Sequence, residues 1–162
     1  MPDQPVSRSY GWVPDLPDHR DIRYAAPQAI LRDLPASVDF RSGMPPVYDQ
    51  GQLGSCTAQA VGAAVAFDRY RQGLDTSWTP SRLFIYYNER AIEGTVTMDA
   101  GAMIRTGVKV VAGRGVCHEP SWPYNPQLFA VSPPRRCYVR VPCSSSSAPL
   151  SRADIDAERE ER

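Results

Sequence analysis

Residues Tyr48-Asp49-Gln50-Gly51-Gln52-Leu53-Gly54-Ser55-Cys56-Thr57-Ala58 constrain this chain more than any other stretch, because two glycines punctuate a turn that delivers a cysteine to the start of a helix. Beyond the cysteine, Ala60, Val61, Ala64, Val65, Phe67, Asp68 and Tyr70 recur in helical rhythm, and Gly73 supplies a stop. The first turn of a helix carries N–H groups without intrahelical acceptors and the positive end of the dipole, so a thiol placed there is favoured as thiolate. Gln50 lies six residues before Cys56, and the turn can carry its side-chain amide back toward the sulfur. An amide N–H together with the backbone N–H of Cys56 would cradle the oxyanion of a tetrahedral intermediate. Losing one such donor typically costs about 3–4 kcal/mol of barrier lowering, so the pattern suits acyl transfer. A cysteine on an apolar helix is otherwise most often a small buried hydrophobe; the register of Gln50 with Cys56 favours the nucleophile.

Gln50-Gly51-x-x-Gly54-Ser55-Cys56 resembles the active-site signature of the papain-like cysteine peptidases. Leu34-Pro35-Ala36-Ser37-Val38-Asp39-Phe40-Arg41 is similar to the mature N-terminus of that family, and Gly101 to its substrate-binding glycine. Gly115-Val116 and Trp122-Pro123-Tyr124 resemble its glycine-aliphatic turn and aromatic-Pro-Tyr stretch, so the matches run in order from about residue 34 to 138. The resemblance implies a cysteine endopeptidase that needs no cofactor and hydrolyses peptide bonds through a thioester acyl-enzyme. Cys56 would be its nucleophile and Gln50 its oxyanion donor. Substrate would run past Gly101, with Met103 lining the neighbouring apolar subsite, although Gly101 reads equally as a helix entry. Asp99 reads as a helix-start residue. The family carries a disulfide partner just before the nucleophile's glycine; Leu53 stands there in this chain, so the fold is not expected to depend on that bridge.

The expected fold class is α+β and papain-like, represented mainly by the helical subdomain, with the β-rich half missing. Residues 1–33 form a proline- and charge-rich extension in the place of a pro-segment. Its Trp12, Val13, Leu16 and Tyr24 suggest an extended latch over the substrate cleft, or an arm that only covers an apolar patch. Residues 34–138 form the helical subdomain. A second helix is predicted from Thr79-Pro80-Ser81, with proline in its first turn, through Leu83, Phe84, Tyr86 and Tyr87 to about Ile92, where Gly94 ends it. A third follows Gly101 through Met103, Ile104, Val108, Val110 and Val111 and closes at Gly113 or Gly115. Residues 139–162 read as a serine tract and a charged tail, where Ser151 could cap a short helix.

A formal net charge of zero implies no general attraction to nucleic acid or to an acidic membrane. No apolar run approaches the roughly 20 residues that span a bilayer. The N-terminus lacks the pattern of a classical secretory signal, and the compartment stays open. Cys56, Cys117, Cys137 and Cys143 are too scattered for a disulfide framework, and with His118 they are spaced too widely for zinc. Cys117 and Cys137 read as structural thiols and Cys143 as exposed.

A cysteine peptidase also needs a histidine to serve as base, with an Asn or Asp to orient it. In the family that histidine lies about 130–150 residues after the nucleophile, which falls beyond Arg162. Of the two histidines, His19 sits in the extension and His118 in a polar turn, and neither suits the role. The expectation is therefore a truncated peptidase, weak or inactive as given. The partners this implies are a peptide or protein substrate and a second protein that could cover the place of the β-rich half. The alternative is a catalytically dead papain-like fragment that binds peptides or proteins.

Overall fold

The computed structural model describes residues 10–22, 25–28, 31 and 34–138. Tyr24, the serine tract, Cys143 and the proposed cap at Ser151 lie outside the described residues. Three helices dominate the rest: α1 (Cys56–Arg71), α2 (Arg82–Glu93) and α3 (Ile104–Arg114). Each packs against the other two.

Helix α2 is the centre of the packing, and its sequence explains why. Ser81 caps it by accepting the Phe84 N–H at 3.1 Å, and Gly94 ends it in the left-handed conformation at φ 76°. Between them Leu83, Phe84, Ile85, Tyr86, Asn88, Glu89 and Arg90 are all buried, so this helix faces protein on nearly every side. Full burial of each large apolar side chain contributes about 1.5–3 kcal/mol. Leu83, Ile85 and Tyr86 share a cluster with Leu53, Ala58, Val61 and Ala102, while Phe84 joins Val110, Cys117 and Cys137 in a second. Gly107 of α3 lies against both other helices: a Cβ there would lie 2.4 Å from Glu89 Oε1 and 2.9 Å from Val61 Cγ2. A side chain at that position would push three helices apart.

Arg90 is fully buried and acts as a polar rivet. Its guanidinium donates to the carbonyls of Val96 (2.6 Å), Met98 (3.1 Å) and Phe129, and lies 4.1 Å from the Tyr86 ring centroid. Burial lowers its pKa, and three carbonyl acceptors compensate the desolvation. The loop from α2 to α3 is thereby tied to the helix that precedes it.

After α3 the chain wraps the helices through short 3₁₀ turns at Glu119–Ser121, Pro126–Leu128 and Arg135–Tyr138. Among the described residues there is no strand, only isolated bridges pairing Trp12 with Ala102 and Pro80 with His118. Two expectations about helix starts need correction. Pro80 precedes the Ser81 cap and does not occupy the first turn of α2, because its place is taken up by the bridge to His118. Helix α3 starts at Ile104, with Met103 as a cap residue that makes no side-chain cap bond.

Candidate active site

Cys56 is the first residue of α1, half-buried and a free thiol. The turn before it is built from its own backbone and from three side chains that arrive from elsewhere. Gly51 adopts φ 61°, and its N–H bonds Asp49 Oδ1 at 2.9 Å. Gln50 is buried and its amide nitrogen donates to the Leu53 carbonyl at 2.9 Å, spanning the turn from within. Leu53, at the position where the resemblance expects a disulfide partner, is instead 5% exposed in the apolar core. An apolar side chain anchored in the core occupies that position.

Asp99 holds the turn from one side. Both carboxylate oxygens accept the Gly54 N–H, at 3.1 and 2.9 Å, and Oδ1 also accepts the Tyr86 hydroxyl. Tyr86 in turn accepts the Gly101 N–H at 3.2 Å. Burial, then the bond to Asp99, raises the Tyr86 pKa well above its ordinary value, so the phenol stays a donor. Asp99 is therefore a clamp on the nucleophile turn, which corrects the expectation of a helix-start residue.

Tyr124 holds the turn from the other side. Its hydroxyl donates to the Gln50 carbonyl at 3.0 Å and lies 2.6 Å from Ser55 Oγ, which accepts Gln59 Nε2 at 3.1 Å. With the tyrosine proton on Gln50, the chain runs Gln59 to Ser55 to Tyr124 to Gln50, and each hydroxyl both donates and accepts. Arg82 braces this side, stacking on the Tyr48 and Tyr124 rings at 4.4 and 4.8 Å and pairing with Glu119 at 2.8 Å. Glu119 also accepts the Tyr124 N–H at 2.8 Å.

Next to the nucleophile, Thr57 donates to Glu89 Oε2 at 2.9 Å, while Glu89 Oε1 is buried with no hydrogen-bond partner. Burial is the main reason the Glu89 carboxyl is pushed up to about 8. Sequence reasoning missed Asp99, Tyr86, Glu89 and Arg82 as parts of this site. Tyr124 had a signal, since it ends the Trp122-Pro123-Tyr124 stretch.

Gly101 is buried at φ 73° and comes against the same turn through Asp99 and Tyr86. Met103 follows it, half-buried, with its N–H on Glu93 Oε1 at 3.0 Å. Between Gly101 and Gly54 passes the backbone of Gly11. A Cβ on Gly11 would lie 1.9 Å from the Gly54 carbonyl oxygen, and one on Gly101 would lie 1.9 Å from the Gly11 carbonyl oxygen. The N-terminal arm continues as a parallel bridge, Gly11 accepting the Ala102 N–H (2.8 Å) and Val13 donating to the Ala102 carbonyl (2.9 Å). Asp15 then accepts the Arg105 N–H at 3.0 Å, serving as the missing cap of α3, and Asp21 pairs with the Arg105 guanidinium at 2.6 and 2.7 Å. Trp12 and Leu16, expected to pack across a groove, are 57% and 73% exposed. Backbone and charge hold the described arm, with little apolar burial.

Neither histidine approaches the thiol through any of its contacts. His19 is exposed beside Asp18, and His118 stacks on Trp78 with ring centroids 5.7 Å apart. No cluster that could hold a metal ion occurs among the described residues.

No family model matches the chain. It is 36% identical over 158 residues to an uncharacterized peptidase C1-like protein of Acanthamoeba polyphaga mimivirus, covering 87% of this chain and 50% of the relative. The crystal structure of xylellain, a cysteine protease from Xylella fastidiosa, superposes with a TM-score of 0.71 at 44% identity, covering 80% of this chain and 53% of xylellain. The chain thus spans about half the length of the relatives it matches. With a helix-terminal thiol, a braced glycine turn and likeness to cysteine proteases in both sequence and structure, the chain belongs to the papain-like cysteine peptidase family.

Proposed function

We propose that this polypeptide carries the nucleophile half of a cysteine endopeptidase. Cys56 Sγ, as thiolate, adds to the carbonyl carbon of an extended peptide; the C–N bond then breaks, the amine leaves with a proton from the base, and a thioester remains for water to hydrolyse. The backbone N–H of Cys56 and the amide of Gln50 serve as oxyanion donors. Gly101 offers the substrate its main chain, and Met103 lines the neighbouring subsite. The observation that carries this reading is the placement of Cys56 at the head of α1 behind a turn braced on both sides. The arm over Gly101 is read as a latch that must leave before a substrate takes its place.

The general base is expected from polypeptide outside the described residues. Residues 1–162 alone should then turn over a fluorogenic peptide orders of magnitude more slowly than a triad-bearing peptidase. Turnover by the same polypeptide at ordinary peptidase rates, abolished by Cys56→Ala, would overturn that expectation while supporting the nucleophile. Labelling by a peptidyl chloromethyl ketone tests the thiol separately: modification at Cys56 supports the assignment, and labelling only at other cysteines refutes it.

A second reading is favoured by the absence of any histidine contact to Cys56 among the described residues. In it, the fragment binds peptides or a partner protein without cleaving them. Saturable binding of a fluorescent peptide with no cleavage, unchanged in Cys56→Ala, would support it. Cleavage would exclude it.

A further inference from the structure

We propose that Cys117 and Cys137 are an oxidisable pair whose disulfide staples the loop carrying Tyr124. The two residues are 8% and 2% exposed and share one apolar cluster with Phe84 and Val110, on the side of α2 away from Leu83 and Ile85. The Cys137 thiol lies close enough to help raise the Cys117 pKa. Neither belongs to the machinery around Cys56, and both are free thiols in the structure.

The place of the pair gives it a function. Cys117 is anchored on one flank, its carbonyl accepting the Ser81 N–H at 2.8 Å beside the bridge of Pro80 with His118. Cys137 sits in the 3₁₀ turn Arg135–Tyr138, which is held by looser contacts. Arg136 reaches the Ser121 carbonyl at 3.3 Å, Cys137 Sγ lies 3.8 Å from the same oxygen, and the Tyr138 hydroxyl is 3.4 Å from Asn88. The chain between the two cysteines contains Trp122 and Tyr124, and Tyr124 is the brace on Gln50 and Ser55. A covalent bond would close that excursion with one link and secure the brace, on the model of loop closure by disulfides.

The reaction is thiol–disulfide exchange with a low-molecular-weight disulfide as oxidant. Deprotonated Cys137 attacks one sulfur of the reagent, its S–S bond breaks, and one thiolate leaves. Deprotonated Cys117 then attacks the Cys137 sulfur of the mixed disulfide, and the second thiolate leaves. The reagent takes up two electrons, and its two thiolates take the two protons the protein has lost. Burial, reinforced by the Cys137 thiol, pushes the Cys117 thiol up to about 12. Closure should therefore be slow at neutral pH and faster as pH rises.

The test incubates the 162-residue chain at alkaline pH with oxidised or reduced glutathione, then unfolds it, alkylates it and maps the peptides by mass. The expected result is a reducible peptide link between Cys117 and Cys137, protection of both from alkylation, and a midpoint of thermal unfolding raised by about 5 °C over the reduced chain. In Cys117→Ala the resolving thiol is gone, so Cys137 should instead retain one glutathione. Full alkylation of both cysteines after oxidation, or separate glutathione adducts on each in the wild-type chain, would overturn the proposal.

Discussion

The nucleophile turn and the N-terminal arm meet at Gly54 and Gly101, yet they are held by different physics. The turn is pinned by the Asp99 and Tyr124 side chains reaching in from far along the chain, and its own Gln50, Leu53 and Ser55 are buried. The arm is held by two backbone bonds and the Asp15 and Asp21 contacts to Arg105, while its large side chains face solvent. Buried, mutually satisfied groups resist exchange because an orphaned partner is costly, whereas exposed ion pairs contribute little and are screened by salt. One region is held by buried, mutually satisfied groups and the other by exposed ones.

The contrast extends to pH, and it breaks most sharply at Glu89. Its folded-state value is raised from 4.5 to about 8, so the fold favours the neutral carboxyl. That contribution is complete below pH 4.5 and is lost as pH rises through 8, on the order of 5 kcal/mol at most. The groups facing it are Thr57 on α1, Arg90 and Glu93 on α2, and the Gly107 backbone of α3. Glu89→Gln should flatten the decline in urea stability between pH 5 and pH 9, whereas an equal decline in both proteins would place its cause elsewhere. The arm should respond in the opposite sense. Asp21 is held below its ordinary value by the Arg105 bond, and Asp18 is lowered to about 2 chiefly by Arg20. Depressed carboxylates stabilise above 3.8 and lose that effect as pH falls through their folded values, so acid should loosen the arm while base loosens the helices.

A smaller effect is expected at the Asp99 clamp. Asp99→Ala removes the acceptor of the Gly54 N–H and of the Tyr86 hydroxyl, and should cost about 2–3 kcal/mol in chemical denaturation. Tyr124→Phe should cost about 1–2 kcal/mol by the same measurement, since it leaves the Gln50 carbonyl and Ser55 hydroxyl to find other partners. If both substitutions were neutral, the turn would be no better secured than the arm. The smallest change in global stability belongs to Arg105→Ala, which should leave the unfolding midpoint nearly unmoved yet speed proteolysis within residues 10–22. Raising salt should speed that cleavage in the wild type and much less in the variant. Proteolysis insensitive to both would show that the backbone bridge alone holds the arm.

Much of the helical scaffold was legible in the residues. The Gly54-Ser55-Cys56 entry and the Gly73 and Gly94 stops lie where local backbone preferences put them, and each acts within one or two turns of itself. Asp99 was misread because a carboxylate shortly before an apolar run is an ordinary helix-start signal, and nothing local reveals that its acceptors serve a glycine 45 positions earlier. The arm was misjudged in another way. Its aromatic and aliphatic residues suggested apolar docking, but the decisive contacts use glycine backbone and aspartates, whose partners are not encoded nearby.

The sequence by itself determined the family signature, the helix that presents Cys56 and the glycines that let the chain turn around it, because these depend on dihedral preferences and short-range spacing. Only the tertiary structure decided what braces the turn and where the arm runs. Asp99, Tyr124 and Gly11 reach the turn from residues far along the chain, and a hydrogen bond or a backbone approach over such separations is selected by the packing of α1, α2 and α3 as a whole.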